Sequence, residues 1–278
     1  MTATEIKTNP TVLKYFSTFS GIGGFELGIG PHGQCVGYSE IDKYACTIYK
    51  NHFPNHKNYG DITKIDAKTL PDFDLLLGGF PCQSFSIAGK RGGFSDTRGT
   101  MFFELARIIK EKLPRLFMFE NVKGLLSHDQ GKTFTTIITT LDELGYDCQW
   151  QVLNSKNHGV PQNRERVFIV GHSRGTRRPE VFPLLGDDKL PNAKGRTDQG
   201  RAQTQISHTL RGSSVKADQV FIKVGKQIRR LTPTECERLQ GFPDGWMQAV
   251  SDTQRYKTLG NAVTVNVIRD IFNRTINT

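Results

Sequence analysis

The run Asp74-Leu75-Leu76-Leu77-Gly78-Gly79-Phe80-Pro81-Cys82-Gln83-Ser84-Phe85-Ser86 constrains the fold more than any other stretch, because a buried strand ends there in a glycine turn. Two glycines remove side chains where the backbone must turn tightly. Pro81 fixes the backbone angle beside the thiol, and small polar residues follow instead of core formers. Cys82 is thereby placed at a strand's carboxyl end, facing a crevice, which is the edge where open parallel α/β sheets bind ligands. A cysteine packed as a small hydrophobe under the turn accounts for the same residues.

Upstream, Leu13 to Phe19 alternates as a strand and runs into Ser20-Gly21-Ile22-Gly23-Gly24-Phe25-Glu26-Leu27-Gly28. Gln34 to Ser39 predicts a second strand closed by Glu40 and Asp42, and Lys43 to Phe53 carries apolar residues at helical spacing. In nucleotide-binding α/β units a glycine turn admits the ligand backbone, and an acid ~20 residues on accepts hydrogen bonds from ribose hydroxyls. Gly21 and Glu40 fit that spacing, although the glycines do not form G-x-G-x-x-G and glycines that merely turn the chain remain an alternative. Gly60-Asp61-Ile62-Thr63 brings Asp61 to the same edge as Glu40; two acids and a glycine turn there suit a ligand with an amine and a ribose.

After Cys82, the glycine-rich, basic stretch Ala88 to Gly99 reads as a lid, followed by a helix from Met101 to Lys112. Leu116-Phe117-Met118-Phe119 predicts another buried strand, ending in Glu120-Asn121-Val122 and placing a carboxylate at the crevice. Phe134 to Leu144 reads as an amphipathic helix, Asp147 to Leu153 as a strand, and Gln162-Asn163-Arg164-Glu165-Arg166 leads into a strand over Val167 to Val170. Arginines at i and i+2 of an extended segment share a side; they serve either as partners of surface acids or as a reach into the crevice. Thr232-Pro233-Thr234-Glu235 has the residues of a helix start, with threonine at the cap and proline in the first turn. Gly260-Asn261-Ala262-Val263 leads into a last helix through Phe272.

The formal charge is +10, and between His172 and Arg230 thirteen Lys/Arg stand against five Asp/Glu, so most of the excess lies in one segment. A basic segment poor in aromatics suits a phosphate backbone better than stacked single-stranded bases. The five cysteines are scattered and contain no C-x-x-C, which indicates neither a disulfide framework nor a structural zinc site. The start MTATEIKTNP lacks an apolar leader core, and no apolar run approaches the ~20 residues that span a bilayer. A cytoplasmic protein with no metal and no membrane contact is expected.

Taken in order, F-x-G-x-G-G, the strand-end Glu40, GDIT, GGFPCQSFS, DTRGTMFFE, FMFENV, QNRERVFIVG, RRLTPTECERLQGFPD and YKTLGNAV resemble the bacterial DNA cytosine-5 methyltransferase family. The resemblance covers nearly the whole chain except about 173–206. It implies an α/β fold of the S-adenosylmethionine-dependent, Rossmann-like kind, a mostly parallel sheet with helices on both faces, plus a small basic DNA-recognition domain. The expected division is 1–172 for the catalytic and cofactor part, 173–250 for target recognition, and 251–278 for a C-terminal helix returning to the first part.

By the same resemblance Cys82 is the nucleophile that adds to cytosine C6, Glu120 the acid facing N3 and N4, and Arg166, with Arg164, the arginine pair of which Arg166 faces O2. S-adenosylmethionine would be held by Phe19, Gly21, Gly23, Gly24, Glu40, Asp61, Ile62, Pro81, Asn261 and Val263. Phe80, Gln83, Ser86, Lys90, Arg91, Arg98 and Arg211 would meet the extruded base and the DNA. Double-stranded DNA is the implied partner of a monomeric enzyme, and the resemblance admits a cognate restriction endonuclease. Two departures stand out: Ser17 occupies a position where the family often has an acid, and the recognition stretch is short, which implies a target of two to four bases. A tRNA cytosine-5 methyltransferase and a non-catalytic DNA-binding homologue are the alternatives; a nicotinamide dehydrogenase would explain the glycine turn and Glu40 but not Cys82, Glu120 and the basic segment together.

Overall fold

The computed structural model describes residues 12–81, 101–176, 180–184, 207–208, 221–224 and 227–277. In chain order these form β1 (Leu13–Thr18), α1 (Gly24–Ile29), β2 (Gly33–Ser39), α2 (Lys43–His52), β3 (Leu75–Gly79), α3 (Met101–Lys112), β4 (Leu116–Val122), α4 (Lys132–Glu143), β5 (Tyr146–Asn154), β6 (Gln162–Asn163) and β7 (Glu165–Ser173). The short strands β8 (Ser207–His208), β9 (Phe221–Val224) and β10 (Gln227–Arg230) follow, then α5 (Pro233–Leu239), α6 (Asp252–Asn261) and α7 (Val265–Asn277).

Six strands build the main sheet in the order β2-β1-β3-β4-β7-β5. The pairs β1/β2, β1/β3 and β3/β4 are parallel, and β7 runs antiparallel to both neighbours. Successive residues of β3 and β4 go to opposite faces, and both faces are covered. Leu76, Phe117 and Phe119 join Phe102, Leu105 and Ile109 of α3 and Ile137 and Leu141 of α4. Leu75, Leu77, Leu116 and Met118 join Phe25 and Ile29 of α1 and Val267, Ile268, Ile271 and Phe272 of α7. Two-sided burial is why these strands read as unbroken apolar runs instead of alternating ones.

Residues 231–247 pack against α2, α6 and the turn after β1. Leu231, Cys236, Leu239, Phe242 and Met247 share a cluster with Ile22, Ala45, Ile48 and Leu259. Thr232 and Glu235 form a capping box at the start of α5. The buried Glu237 carboxylate accepts hydrogen bonds from Gly245 N (2.7 Å), Met247 N (3.1 Å) and Arg255 (3.2 Å), folding the following turn back onto α5. Trp246 Nε1 then donates to Ile22 O at 2.9 Å and its ring stacks on His52 at 3.5 Å, bracing the glycine turn after β1. At the carboxyl end two helices stand where the sequence suggested one. The first, α6, is mostly polar, so its periodicity is weak; its buried positions are only Thr258, Leu259 and Gly260. Among the described residues, no helix is long and apolar enough to cross a membrane.

A buried acid lies behind the glycine turn. Glu26 on α1 is 2% exposed, and Tyr49 Oη donates to its Oε1 at 3.1 Å. Burial pushes its carboxyl up to about 7, with the Tyr49 hydrogen bond among the influences opposing it. The folded chain therefore holds a proton that an unfolded Glu near 4.5 has released, so stability present below about 4.5 is lost as the pH rises through about 7. Wild type should lose roughly 2 kcal/mol of stability between about pH 5 and about pH 8 that Glu26→Gln does not lose. Denaturant melts of both proteins across that range check it, and parallel pH profiles would refute it.

Candidate active site

The carboxyl ends of β1, β2, β3 and β4 reach one edge of the sheet because these strands are mutually parallel, and the antiparallel β7 begins there. The register sets Gly79 opposite Glu120 and Val122 opposite Arg166. Between the strand ends and α6 opens a cavity of about 350 Å³, lined by Phe19, Gly21, Glu40, Asp42, Ala45, Gly79, Phe80, Pro81, Glu120, Asn121, Val122, Arg164, Arg166, Thr258, Gly260 and Asn261. Nine residues singled out in the sequence meet in that wall: Phe19, Gly21, Glu40, Phe80, Pro81, Glu120, Arg164, Arg166 and Asn261.

On one side the backbone is shaped for a ligand. Phe19 adopts φ +51°, uncommon for a residue with a side chain, and Gly21 and Gly23 are also left-handed. Among the described residues, and leaving out its two chain neighbours, nothing stands within 4 Å of where a Cβ on Gly21 would be, so its backbone is open on the cavity side. Glu40 is held by three main-chain amides: Gly21 N donates to Oε2 at 2.8 Å, and Ile41 N and Asp42 N donate to Oε1 at 2.8 and 2.7 Å. The strand-end acid is thus already tied to the glycine turn. Asp42 caps α2 through Tyr44 N and Ala45 N and meets Lys257 Nζ of α6 at 3.0 Å. Burial works against ionisation of Asp42, but Lys257 and the two amides outweigh it and hold the carboxyl below its ordinary range.

On the other side lies an acid with two arginines. Glu120 is 9% exposed, and Arg166 Nε stands 3.1 Å from its Oε1. Burial raises the Glu120 carboxyl above its ordinary range, with Arg166 and then Arg164 opposing. Arg164 is buried at 2% exposure and donates to Gly260 O (3.2 Å) and Ala262 O (2.8 Å). Burial first, then the charge of Arg166, pushes its guanidinium down to about 9, which leaves it cationic at neutral pH. Asn121, named in the sequence only as a flank of Glu120, donates to Phe80 O at 2.9 Å and fastens the Gly79-Phe80-Pro81 turn to β4.

Other candidates stand back from the cavity. Val263 is 7% exposed and packs on Gly24, where an added Cβ would come within 2.7 Å of its Cγ2. Gly23 caps α1 and abuts Phe53. Asp61 does share an edge with Glu40, since Ser39 Oγ donates to Gly60 O at 2.6 Å. Its carboxylate, however, turns onto its own loop, accepting from Thr63 N at 3.0 Å and Thr63 Oγ1 at 2.8 Å, and Ile62 beside it is buried in the core. Cys82, Gln83, Ser86, Lys90, Arg91, Arg98, the lid stretch and Arg211 lie outside the described residues. Asp42, Ala45, Asn121, Thr258 and Gly260 line the cavity without having been singled out as site residues. For Asp42 and Asn121 adjacency to a strand-end acid was the available signal; Thr258 and Gly260 sit on the helix that periodicity missed.

Comparison with known proteins agrees with this geometry. The family model for C-5 cytosine-specific DNA methylase matches residues 13–194 and 186–277. Type II methyltransferase M1.ScrFI of Lactococcus lactis subsp. cremoris is 41% identical over 93% of this chain and 76% of its own length. Type II methyltransferase M.HhaI of Haemophilus parahaemolyticus is 36% identical over 96% of this chain and 95% of its own. Among solved structures, the S. pombe Dnmt2 methyltransferase superposes with a TM-score of 0.75, covering 95% of this chain and 98% of that one. At 17% identity that likeness speaks to the fold alone.

Proposed function

The chain belongs to the C-5 cytosine-specific DNA methylase family and is a DNA (cytosine-5) methyltransferase, and from that premise we propose that the cavity binds S-adenosylmethionine on its Phe19–Glu40 side and an extruded cytosine on its Glu120–Arg166 side. The observation that carries this reading is the meeting, in one cavity, of the amide-held Glu40 carboxylate, the buried Glu120–Arg166 pair and Pro81, the residue before Cys82.

The lining suits such a cofactor. The open backbone at Gly21 and the fixed carboxylate of Glu40 can meet an amino acid group and ribose hydroxyls, and Asn261 faces them from α6. When bound, S-adenosylmethionine supplies an electrophilic methyl group on sulfur. The protein's own task is to make cytosine C5 nucleophilic enough to accept it. Cys82, as thiolate, adds to C6 and pushes electron density to C5. Glu120, kept protonatable by its burial, donates to N3 as charge develops there and accepts from N4. Arg166 orients Glu120 and presents a guanidinium to O2. Transfer breaks the sulfur–methyl bond and leaves a neutral thioether; water then takes the C5 proton, the C5–H electrons restore the C5–C6 double bond, and Cys82 departs from C6 as thiolate. The base comes from a duplex stack, so extrusion costs a few kcal/mol, which contacts from the basic 173–250 segment help to offset.

Expression in a methylation-free host followed by bisulfite sequencing tests the reading. We expect 5-methylcytosine at one short sequence of two to four base pairs. A target of six or more would overturn the proposed short recognition, and labelled methyl transfer to tRNA instead of duplex DNA would overturn the substrate.

A further inference from the structure

Among the described residues, Arg164 Nη2 donates to two main-chain carbonyls on the cofactor side of the cavity. Its two carbonyl acceptors, Gly260 O and Ala262 O, flank Asn261 at the carboxyl end of α6. The last carbonyls of a helix lack intrahelical donors and carry the negative end of its dipole, so a guanidinium satisfies both needs. The same turn is held a second time: Gln240 Nε2 donates to Leu259 O at 2.9 Å and to Ala262 O at 3.2 Å. Gln240 Oε1 accepts from Thr264 Oγ1 at 2.8 Å and from Gln162 Nε2 at 3.3 Å. The hydroxyls of Thr264 and Ser155 are 2.8 Å apart, and Ser155 N donates back to Arg164 O at 3.0 Å. Gln162, Gln240, Ser155, Thr264 and Arg164 are all buried, so a closed polar ring joins the β6–β7 segment, the end of α5 and the α6–α7 turn. Buried polar networks of this kind favour one arrangement of their members, which makes the geometry they impose narrow.

Resting on the proposal that the cavity takes S-adenosylmethionine, we infer that Arg164 is a positioning residue linking the two halves of the site: its terminal Nη2, donating to both carbonyls, sets the Asn261 turn against the cofactor while its charge faces Glu120 beside the base. Lysine keeps the charge, but its ammonium ends about where the arginine Cζ lies, one bond short of the Nη2 that meets both carbonyls. Arg166, paired with Glu120 Oε1 and with Glu165 O, belongs to the base half. The two arginines of one short motif therefore divide the labour.

Calorimetric titration with S-adenosylhomocysteine in the absence of DNA separates them, with circular dichroism and melting temperature recorded for each variant. R164K should bind about tenfold more weakly than wild type, as expected when a charged hydrogen bond to the α6–α7 turn is lost for want of reach. In steady state it should raise the cofactor KM more than it lowers kcat, whereas R166K should lower kcat and keep wild-type affinity for S-adenosylhomocysteine. The factor by which S-adenosylhomocysteine tightens binding of a methylatable duplex should also fall toward one in R164K, because that coupling runs through the shared side chain. Wild-type affinity in R164K, or equal weakening by R166K, overturns the inference. Should R164K fail to fold, Thr264→Val loosens Gln240 without touching the guanidinium and should weaken S-adenosylhomocysteine several-fold; unchanged affinity there overturns it equally. Failure of the wild-type protein itself to bind S-adenosylhomocysteine would sink the cofactor reading instead.

Discussion

Replacing Cys82 by alanine should abolish methyl transfer while leaving S-adenosylhomocysteine and duplex binding in place. Cytosine C5 is too weak a nucleophile to take a methyl group from sulfur unaided, and addition at C6 is what activates it. Removing a covalent nucleophile takes away a whole route, not a fraction of a barrier, so the loss should be at least about 10⁴-fold. The sharper readout is covalent. A duplex carrying 5-fluorocytosine at the target has no C5 proton to lose, so wild type should remain attached to it and appear as a shifted band on a denaturing gel. Cys82→Ala should give no such band. A persistent adduct in the variant would move the nucleophile elsewhere, and no adduct with wild type would favour a non-catalytic DNA-binding homologue.

Glu120→Gln should be the second most damaging change, lowering kcat by about 10²–10⁴-fold with little effect on cofactor affinity. Glutamine keeps the shape but can neither ionise nor deliver a proton to N3. Burial raises the Glu120 carboxyl, and Arg166 pulls against that rise. The pH–rate profile therefore has a definite sign: where the protonated acid is needed, kcat falls as pH rises through the raised value. Removing the opposing charge with Arg166→Gln should move that falling limb to higher pH while lowering the plateau. A limb that stays in place would show that Glu120 does not set it. A glutamine variant retaining more than about a tenth of wild-type kcat would remove Glu120 from the proton path.

Much of the site was legible locally. Glu40, Glu120, the Gly78–Gly79 turn and the Gly21–Gly24 turn each lie at the end of a recognisable strand, so DLLLGG, FMFENV and FSTFSGIGG announced strand-end residues whatever their neighbours were. The side chains of β3 and β4 needed cover on both faces, which made the α/β class readable from runs of Leu and Phe. The partners were not legible. Nothing in the order of the chain sets Glu120 beside Arg166; the antiparallel pairing of β4 with β7 does, by placing Val122 opposite Arg166. Helix α6 escaped notice because its inner face is formed by Thr258, Leu259 and Gly260, a pattern too short and polar for periodicity. Asp61 was legible as an acid at the correct edge, yet its hydrogen bonds to Thr63 turn its carboxylate onto its own loop.

The strand that leads into Pro81 and Cys82, the family, the basic surplus after His172 and the chemistry of each strand-end residue are properties of the sequence by itself, because they depend on composition and on spacing along the chain. Tertiary structure alone decided that Glu40 is bound by three amides, that Arg164 serves the α6–α7 turn while Arg166 serves Glu120, and that Asn121 fastens the Phe80 carbonyl. Those assignments join residues up to 98 positions apart. Parallel strands carry all their carboxyl ends to one edge, but which side chain finds which partner there is set by register and helix packing, and neither is written within any single segment.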